Sequence, residues 1–122
     1  MTYCLVVDGS SVVRKVAKRI LASDMECVAE AESGKAALEA FAGRVPDIVL
    51  IDCELADIDI VDFVRDIRAM RIARQPKIIV MMNEMNLVTM TKAKRAGADD
   101  YLLKPFNREQ LVRSVHEYEN AA

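Results

Sequence analysis

No stretch of the 122-residue chain approaches the ~20 consecutive apolar residues that a membrane-spanning helix needs. The opening MTYCLVVDGS likewise lacks a basic region running into a long apolar segment. Both absences point to a cytoplasmic protein. Cysteines number only three, and Cys4, Cys27 and Cys53 are widely and unequally spaced with no Cys-x-x-Cys pair, so neither zinc nor a disulfide framework is expected. Cys4 and Cys27 fall in apolar strand-like segments, where a free thiol behaves as a small buried hydrophobe, and this favours a reducing compartment. Neither sign of charge dominates: 17 basic against 19 acidic residues leave a formal −2, with no overall pull toward nucleic acid or an anionic membrane. The sole histidine, His116, lies far in sequence from the candidate acids and reads as a charge-bearing surface residue rather than a base. Linkers and low-complexity tracts are also missing. With 52% hydrophobic and 30% charged residues, the chain has a globular composition and the length of one ordinary domain, 1–122.

What is present is alternation. Tyr3 to Val7 is a near-continuous apolar run that ends in a polar turn, as a strand buried on both faces would. Val12, Val13, Val16, Ala17, Ile20 and Leu21 then recur at helical spacing, with Ser10 placed to cap that helix. The unit repeats with Cys27 to Ala31 as strand, Ser33 as cap, and Ala37, Leu38 and Phe41 as the helix stripe, ended by Gly43 and Pro46. Asp47 to Asp52 is the strongest buried-strand signal, and Ile60, Phe63, Val64 and Ile67 mark a third helix. Lys77 to Met82, then Leu87, Met90, Ala93 and Ala96 with a stop at Gly97, make a fourth pair. Tyr101 to Leu103 is a fifth strand, and Leu111, Val112 and Val115 belong to a last helix. Five such alternations imply an α/β, doubly wound, five-stranded parallel sheet flanked by five helices, because parallel strands need crossover connections.

In an open doubly wound sheet the ligand site lies beyond the carboxyl ends of the strands. The first strand runs into Asp8, the third ends in Asp52, and the fifth is followed by Lys104. Two neighbouring carboxylates repel each other and invite a hard divalent cation, with magnesium the natural candidate. A cation and a lysine beside an aspartate stabilise the charge of a phosphoryl group passing to it, which makes Asp52 the candidate nucleophile. Spacing alone leaves open the plainer alternative, that strand-end acids cap helices or face solvent.

The segments Leu5 to Ser10, Ile48 to Asp52 and Gly97-Ala98-Asp99-Asp100-Tyr101-Leu102-Leu103-Lys104-Pro105-Phe106 resemble the hallmark segments of response-regulator receiver domains, chemotaxis regulators among them. The likeness covers essentially the whole chain. It implies the strand order 2-1-3-4-5, with Asp52 as phosphoacceptor, Asp8 as an acidic metal-site residue, Lys104 as the phosphate-contacting lysine and Tyr101 as the aromatic switch residue. A stand-alone receiver of a two-component phosphorelay follows from it, charged by a histidine kinase or phosphotransfer protein. Its output would be a target protein bound through the fourth helix, fifth strand and fifth helix.

Departures from the pattern accompany the match. Receivers carry two adjacent acids after the first strand, and here the second position is Gly9. The fourth strand normally ends in Thr or Ser, whose hydroxyl contacts the phosphoryl group, and Met82 has no such donor. In the loop after Asp52 only Asp59 survives, chiefly as a helix cap. Glu54 is a candidate third metal ligand filling the space at Gly9, and Asn83 a candidate amide donor to a phosphoryl oxygen. Magnesium is accordingly expected to bind weakly or not at all.

The rival to a working receiver is a pseudo-receiver of the same fold that binds partners without phosphorylation or answers another ligand. Arg65, Arg68, Arg71 and Arg74 recur every third residue, a step that drifts about 60° around a helix. They form a winding band that reads by default as a solvated helical surface, with an anion or nucleotide site as the functional alternative. Asp57-Ile58-Asp59-Ile60-Val61 formally resembles the motif of aspartate-nucleophile phosphohydrolases, but it opens a helix instead of following a strand directly, so no enzyme is expected. A flavodoxin-like electron carrier is disfavoured by a first loop without a Ser/Thr-rich cradle, by the absence of tryptophan and by only 5% aromatics.

Overall fold

The computed structural model describes residues 2–121. The elements alternate strictly: β1 (Tyr3–Val7), α1 (Ser11–Leu21), β2 (Cys27–Ala31), α2 (Gly34–Gly43), β3 (Ile48–Asp52), α3 (Ile60–Ala69), β4 (Lys77–Met82), α4 (Leu87–Ala96), β5 (Asp100–Leu103) and α5 (Arg108–Ala121). The strands are all parallel and run in the order β2-β1-β3-β4-β5.

Side-chain alternation along the strands divides the interior in two. Leu5, Val7, Val49, Ile51, Ile78, Val80 and Met82 point to the side covered by α2, α3 and α4, where Phe41, Phe63 and Ala93 meet them. Cys4, Val6, Ile48, Leu50, Ile79 and Met81 point to the other side, against Ala17 and Leu21 of α1 and Leu111 and Val115 of α5. The buried runs of β1, β3 and β4 are thus apolar on both faces, as central parallel strands require. Lys77 is the exception among them, and its Nζ donates to Ser114 O at 2.9 Å.

Caps stand where the residues suggested. Ser10 Oγ accepts from Val13 N, Ser33 Oγ from Ala36 N and Asp59 Oδ1 from Val61 N, each relieving an orphaned first-turn donor. At the other end of α4, Gly97 adopts φ +123° with its amide on Ala93 O and Lys94 O.

Three expectations need correction. Cys27 is exposed, because it opens the edge strand β2 where no third layer reaches it. Val12 and Val16 are 68% and 44% exposed: the inward stripe of α1 runs through Ala17 and Leu21, and these two valines lie beside it. Leu87 is 74% exposed at the start of α4, with Val88 and Met85 open beside it, so the buried stripe of that helix narrows to Ala93 and its neighbours.

Candidate functional site

Because α1 lies on one face of the sheet and α3 on the other, the chain parts between the carboxyl ends of β1 and β3 and leaves a crevice there. Asp8, Asp52 and Lys104 meet in it, at the edge of an open cleft of about 670 Å3 that Gly9, Glu54 and Asn83 also line.

The backbone aims each group. Asp8 continues β1 by one residue, its amide on Ala31 O at 3.1 Å, and its own carbonyl takes Arg14 Nη1 at 2.7 Å. Arg14 is braced in turn by Glu30 at 3.1 Å. Asp8 Oδ1 accepts from Ser10 N at 2.8 Å, which ties the carboxylate to the turn before α1. Lys104 follows β5 with its amide on Met82 O at 2.8 Å, and its peptide bond to Pro105 is cis. Its ammonium lies 2.9 Å from Asp8 Oδ2 and 3.3 Å from Asp52 Oδ1. Asp52 Oδ1 also accepts from Glu54 N at 3.2 Å, while Oδ2 has no hydrogen-bond partner among the described residues.

All three side chains are largely buried, with Asp8 3%, Lys104 10% and Asp52 12% exposed. Burial alone pulls the lysine down. The hydrogen bond it donates to Asp8 and the charge of Asp52 outweigh it, and the Lys104 ammonium ends above its ordinary range. The cation stays charged and bridges the two acids.

That bridge decides how a metal would fit. Both oxygens of Asp8 are engaged, Gly9 contributes no ligand, and Glu54 is exposed on the rim. Among the described residues no three His, Cys, Asp or Glu side chains are gathered so as to hold a metal ion. The expected set of Asp8, Asp52 and Glu54 is therefore not assembled, because the ammonium already occupies the space between the carboxylates. Magnesium, which demands near-octahedral oxygen coordination, does not fit these donors as they stand.

At the end of β4, Met82 is 1% exposed and packs into the apolar cluster beneath α4, so it presents no polar atom to the cleft. Asn83 beside it is exposed and lines the cleft. Tyr101 is half-buried, and its hydroxyl donates to Met90 O in α4 at 2.6 Å. Its phenol is pushed up, by burial first and by Asp100 second.

Other candidate motifs come apart. Arg68 is a structural clamp: Nε donates to Gly97 O at 3.0 Å, Nη1 to Pro76 O at 2.8 Å and to Gln75 Oε1 at 2.9 Å, and Nη2 pairs with Asp99 at 2.8 Å. With that guanidinium committed inside the fold and Arg74 lying 4.0 Å from Asp47, the arginine band offers no single anion-binding face. Asp57 and Asp59 do not form a reactive pair either. Asp59 caps α3, and Asp57 accepts from Gly34 N and Lys35 N at the start of α2, two backbone donors that hold its carboxyl below the usual range. His116 sits 3.4 Å from Asp24, away from the crevice. The Asp57 tether and the Arg14 bond to Asp8 escaped sequence reading. Nothing in a linear pattern joins residue 57 to residue 34, whereas the basic Arg14 six residues after Asp8 was a signal that could have been followed.

The model of the response regulator receiver domain family matches residues 4–116, and the chain belongs to that family. It is 31% identical to the chemotaxis protein CheY of Bacillus subtilis over 93% of each chain. It is 37% identical over 96% of its length to a protein-glutamate methylesterase/protein-glutamine glutaminase of Nocardioides sp., of which it spans only 32%. Among solved structures, the chemotaxis response regulator CheY4 of Vibrio cholerae superposes with a TM-score of 0.88 at 25% identity, covering 96% of this chain and 98% of that one. The strand order and five flanking helices are those of CheY-like neighbours. The family is a signalling one whose members interact with histidine kinases and downstream targets and typically bind magnesium at the acidic pocket. No helix among the described residues is long and apolar enough to cross a membrane.

Proposed function

We propose that this chain is a cytoplasmic receiver domain that takes a phosphoryl group on Asp52 from a phosphohistidine of a kinase or phosphotransfer protein. The observation carrying the reading is the convergence of Asp8, Asp52 and Lys104 in one crevice, with Asp52 Oδ2 left without a partner. In the transfer, Oδ2 attacks phosphorus, the P–N bond to the donor imidazole breaks, and that nitrogen keeps the electron pair. Lys104 stands within reach of the incoming phosphoryl oxygens and neutralises part of their charge. Asn83, on the cleft wall, is the candidate amide donor to the same oxygens.

Output passes to a target protein over α4, β5 and α5. Support for that face comes from Met85 and Leu103, which line one cavity with Tyr101 and are 61% and 43% exposed, and from Leu87 and Val88 of α4, which are 74% and 62% exposed.

Incubation with a small phosphodonor, with and without magnesium, followed by intact mass tests the reading. It requires a phosphoryl adduct on the wild type that disappears in Asp52→Ala. A second reading, a receiver-fold binding module that is never phosphorylated, draws on Gly9, on Met82 and on the ammonium already held between the acids. Absence of the adduct under every condition would establish that one instead.

A further inference from the structure

With the strands in the order β2-β1-β3, a segment leaving β3 must pass the carboxyl end of β1 to reach α2, two strand spacings or roughly 10 Å away. Residues 53–58 make that crossing. At its start Cys53 N is still held in the sheet, on Met81 O at 2.9 Å, and Glu54 N turns back to Asp52 Oδ1 at 3.2 Å. At its far end Asp57 Oδ1 accepts from Gly34 N at 3.0 Å and Oδ2 from Lys35 N at 2.9 Å. Leu55, Ala56 and Asp57 thereby wall one side of the cleft that Asp8, Asp52 and Lys104 also line.

Two separate features fit α2 to receive this strap. The helix has no acidic residue in its own first turn, and Ser33 Oγ serves Ala36 N, so the amides of Gly34 and Lys35 are left for a carboxylate from elsewhere in the chain. A Cβ at Gly34 would collide with Ile58 Cγ2, so only glycine lets the start of α2 approach the segment this closely. The amides of Lys35 and Gly34 hold the Asp57 carboxyl below its usual range, which keeps it charged at neutral pH. Pinned at both ends, the strap keeps Glu54 N on one oxygen of Asp52 and leaves the other to the incoming phosphorus. Once Oδ2 carries the phosphoryl group, Oδ1 is the acyl carbonyl oxygen and the same amide still orients it.

We propose that Asp57, by tying the β3–α3 segment to the start of α2, is a positioning residue for phosphoryl transfer: it holds Glu54 N against Asp52 Oδ1, so that Oδ2 is the oxygen presented to phosphorus. The inference rests on the reading of Asp52 as the phosphoacceptor. Asp57 touches neither donor nor phosphoryl group and acts through residues 53–56. Freed from α2, the segment lets the Asp52 carboxylate turn about its Cβ–Cγ bond, and attack then starts from a mixture of orientations. Misplacement of a reacting group by about 1 Å costs up to roughly 10²-fold in rate. The charge that draws a small phosphodonor into the cleft is that of Lys104, which stays in place.

The test compares the wild type with Asp57→Ala and Glu39→Gly. Asp57 is exposed, so its truncation leaves no cavity, and Glu39 is exposed within α2, where glycine weakens the helix without touching the tether. With acetyl phosphate as donor, the time course of intact mass gives a limiting rate and a half-saturating concentration. Asp57→Ala lowers the limiting rate at least about tenfold and moves half-saturation by less than about twofold, whereas Glu39→Gly leaves both as in the wild type. Amide hydrogen exchange at Glu54, followed by NMR with no phosphodonor present, quickens at least about tenfold in Asp57→Ala alone. A limiting rate in Asp57→Ala within about twofold of the wild type, an equal fall in Glu39→Gly, or unchanged exchange at Glu54 overturns the assignment. A wild type that acquires no phosphoryl mass refutes the phosphoacceptor reading instead, and exchange at Glu54 then decides the tether by itself.

Discussion

Replacing Lys104 by methionine keeps most of the side-chain stem and removes the ammonium that bridges Asp8 and Asp52. The two acids are 3% and 12% exposed, so they are left as neighbouring buried charges with no counter-ion. Removing one member of a buried ion pair costs about 3–5 kcal/mol. Asp8 keeps its bond from Ser10 N and Asp52 its bond from Glu54 N, which places the loss at the lower end of that range. With an unfolding entropy of roughly 2.1 cal/mol/K per residue, the expected fall in Tm is roughly 10–15 °C. The dependence on pH sharpens the test. In the wild type the Lys104 ammonium lies above its ordinary 10.5, so its contribution is complete below that value and disappears only as the pH rises past the folded-state value. In Lys104→Met the folded state gains by taking up a proton between two like charges, binds more protons than the unfolded chain, and recovers stability as pH falls from 8 toward 5. Urea unfolding followed by circular dichroism at both pH values reads this directly, provided the slope m is unchanged. A loss under about 1 kcal/mol at pH 8, or an equal loss at both pH values, would refute the assignment of Lys104 as the internal cation of the pocket.

Restoring the second acid should create the missing metal site. A Cβ at Gly9 meets only Glu32 O at 4.0 Å, so Gly9→Asp folds normally and binds magnesium at least about tenfold more tightly by calorimetry. In that background Glu54→Gln measures whether Glu54 reaches the ion, and equal affinities would remove it from the site. Arg68→Ala deletes charge-assisted bonds to Gly97 O and Pro76 O and should cost about 1.5–3 kcal/mol in chemical denaturation. It should change no nucleotide affinity. Tyr101→Phe removes the bond to Met90 O and should cost about 1 kcal/mol while raising amide hydrogen exchange in α4; unchanged exchange there would show that the phenol does not hold the helix.

Much of the fold was legible because its signals are local. Continuous apolar runs at Tyr3 to Val7 and Asp47 to Asp52, and stripes such as Ile60, Phe63, Val64 and Ile67, reflect burial that each segment experiences whatever its neighbours are. Ser10, Ser33 and Asp59 were identifiable as caps for the same reason, since donor and acceptor lie within three residues. The misreadings were matters of orientation and edge position. Val12, Val16 and Leu87 fit a helical period, yet a period does not say which side of a helix meets the sheet, and Cys27 lost its cover when β2 became an outer strand.

The site divides along the same line. The order of residues alone determined which side chains end the strands, that Gly9 brings no carboxylate, and that Met82 brings no hydroxyl, because these are facts of chemical identity. Only the tertiary structure decided that Lys104, 96 residues from Asp8, lies between the two acids instead of beside them, that Asp57 reaches across to start α2, and that Arg68 turns inward. Those outcomes depend on distances between chain segments far apart in sequence. A pattern with a period of two or of 3.6 residues carries no information about such distances.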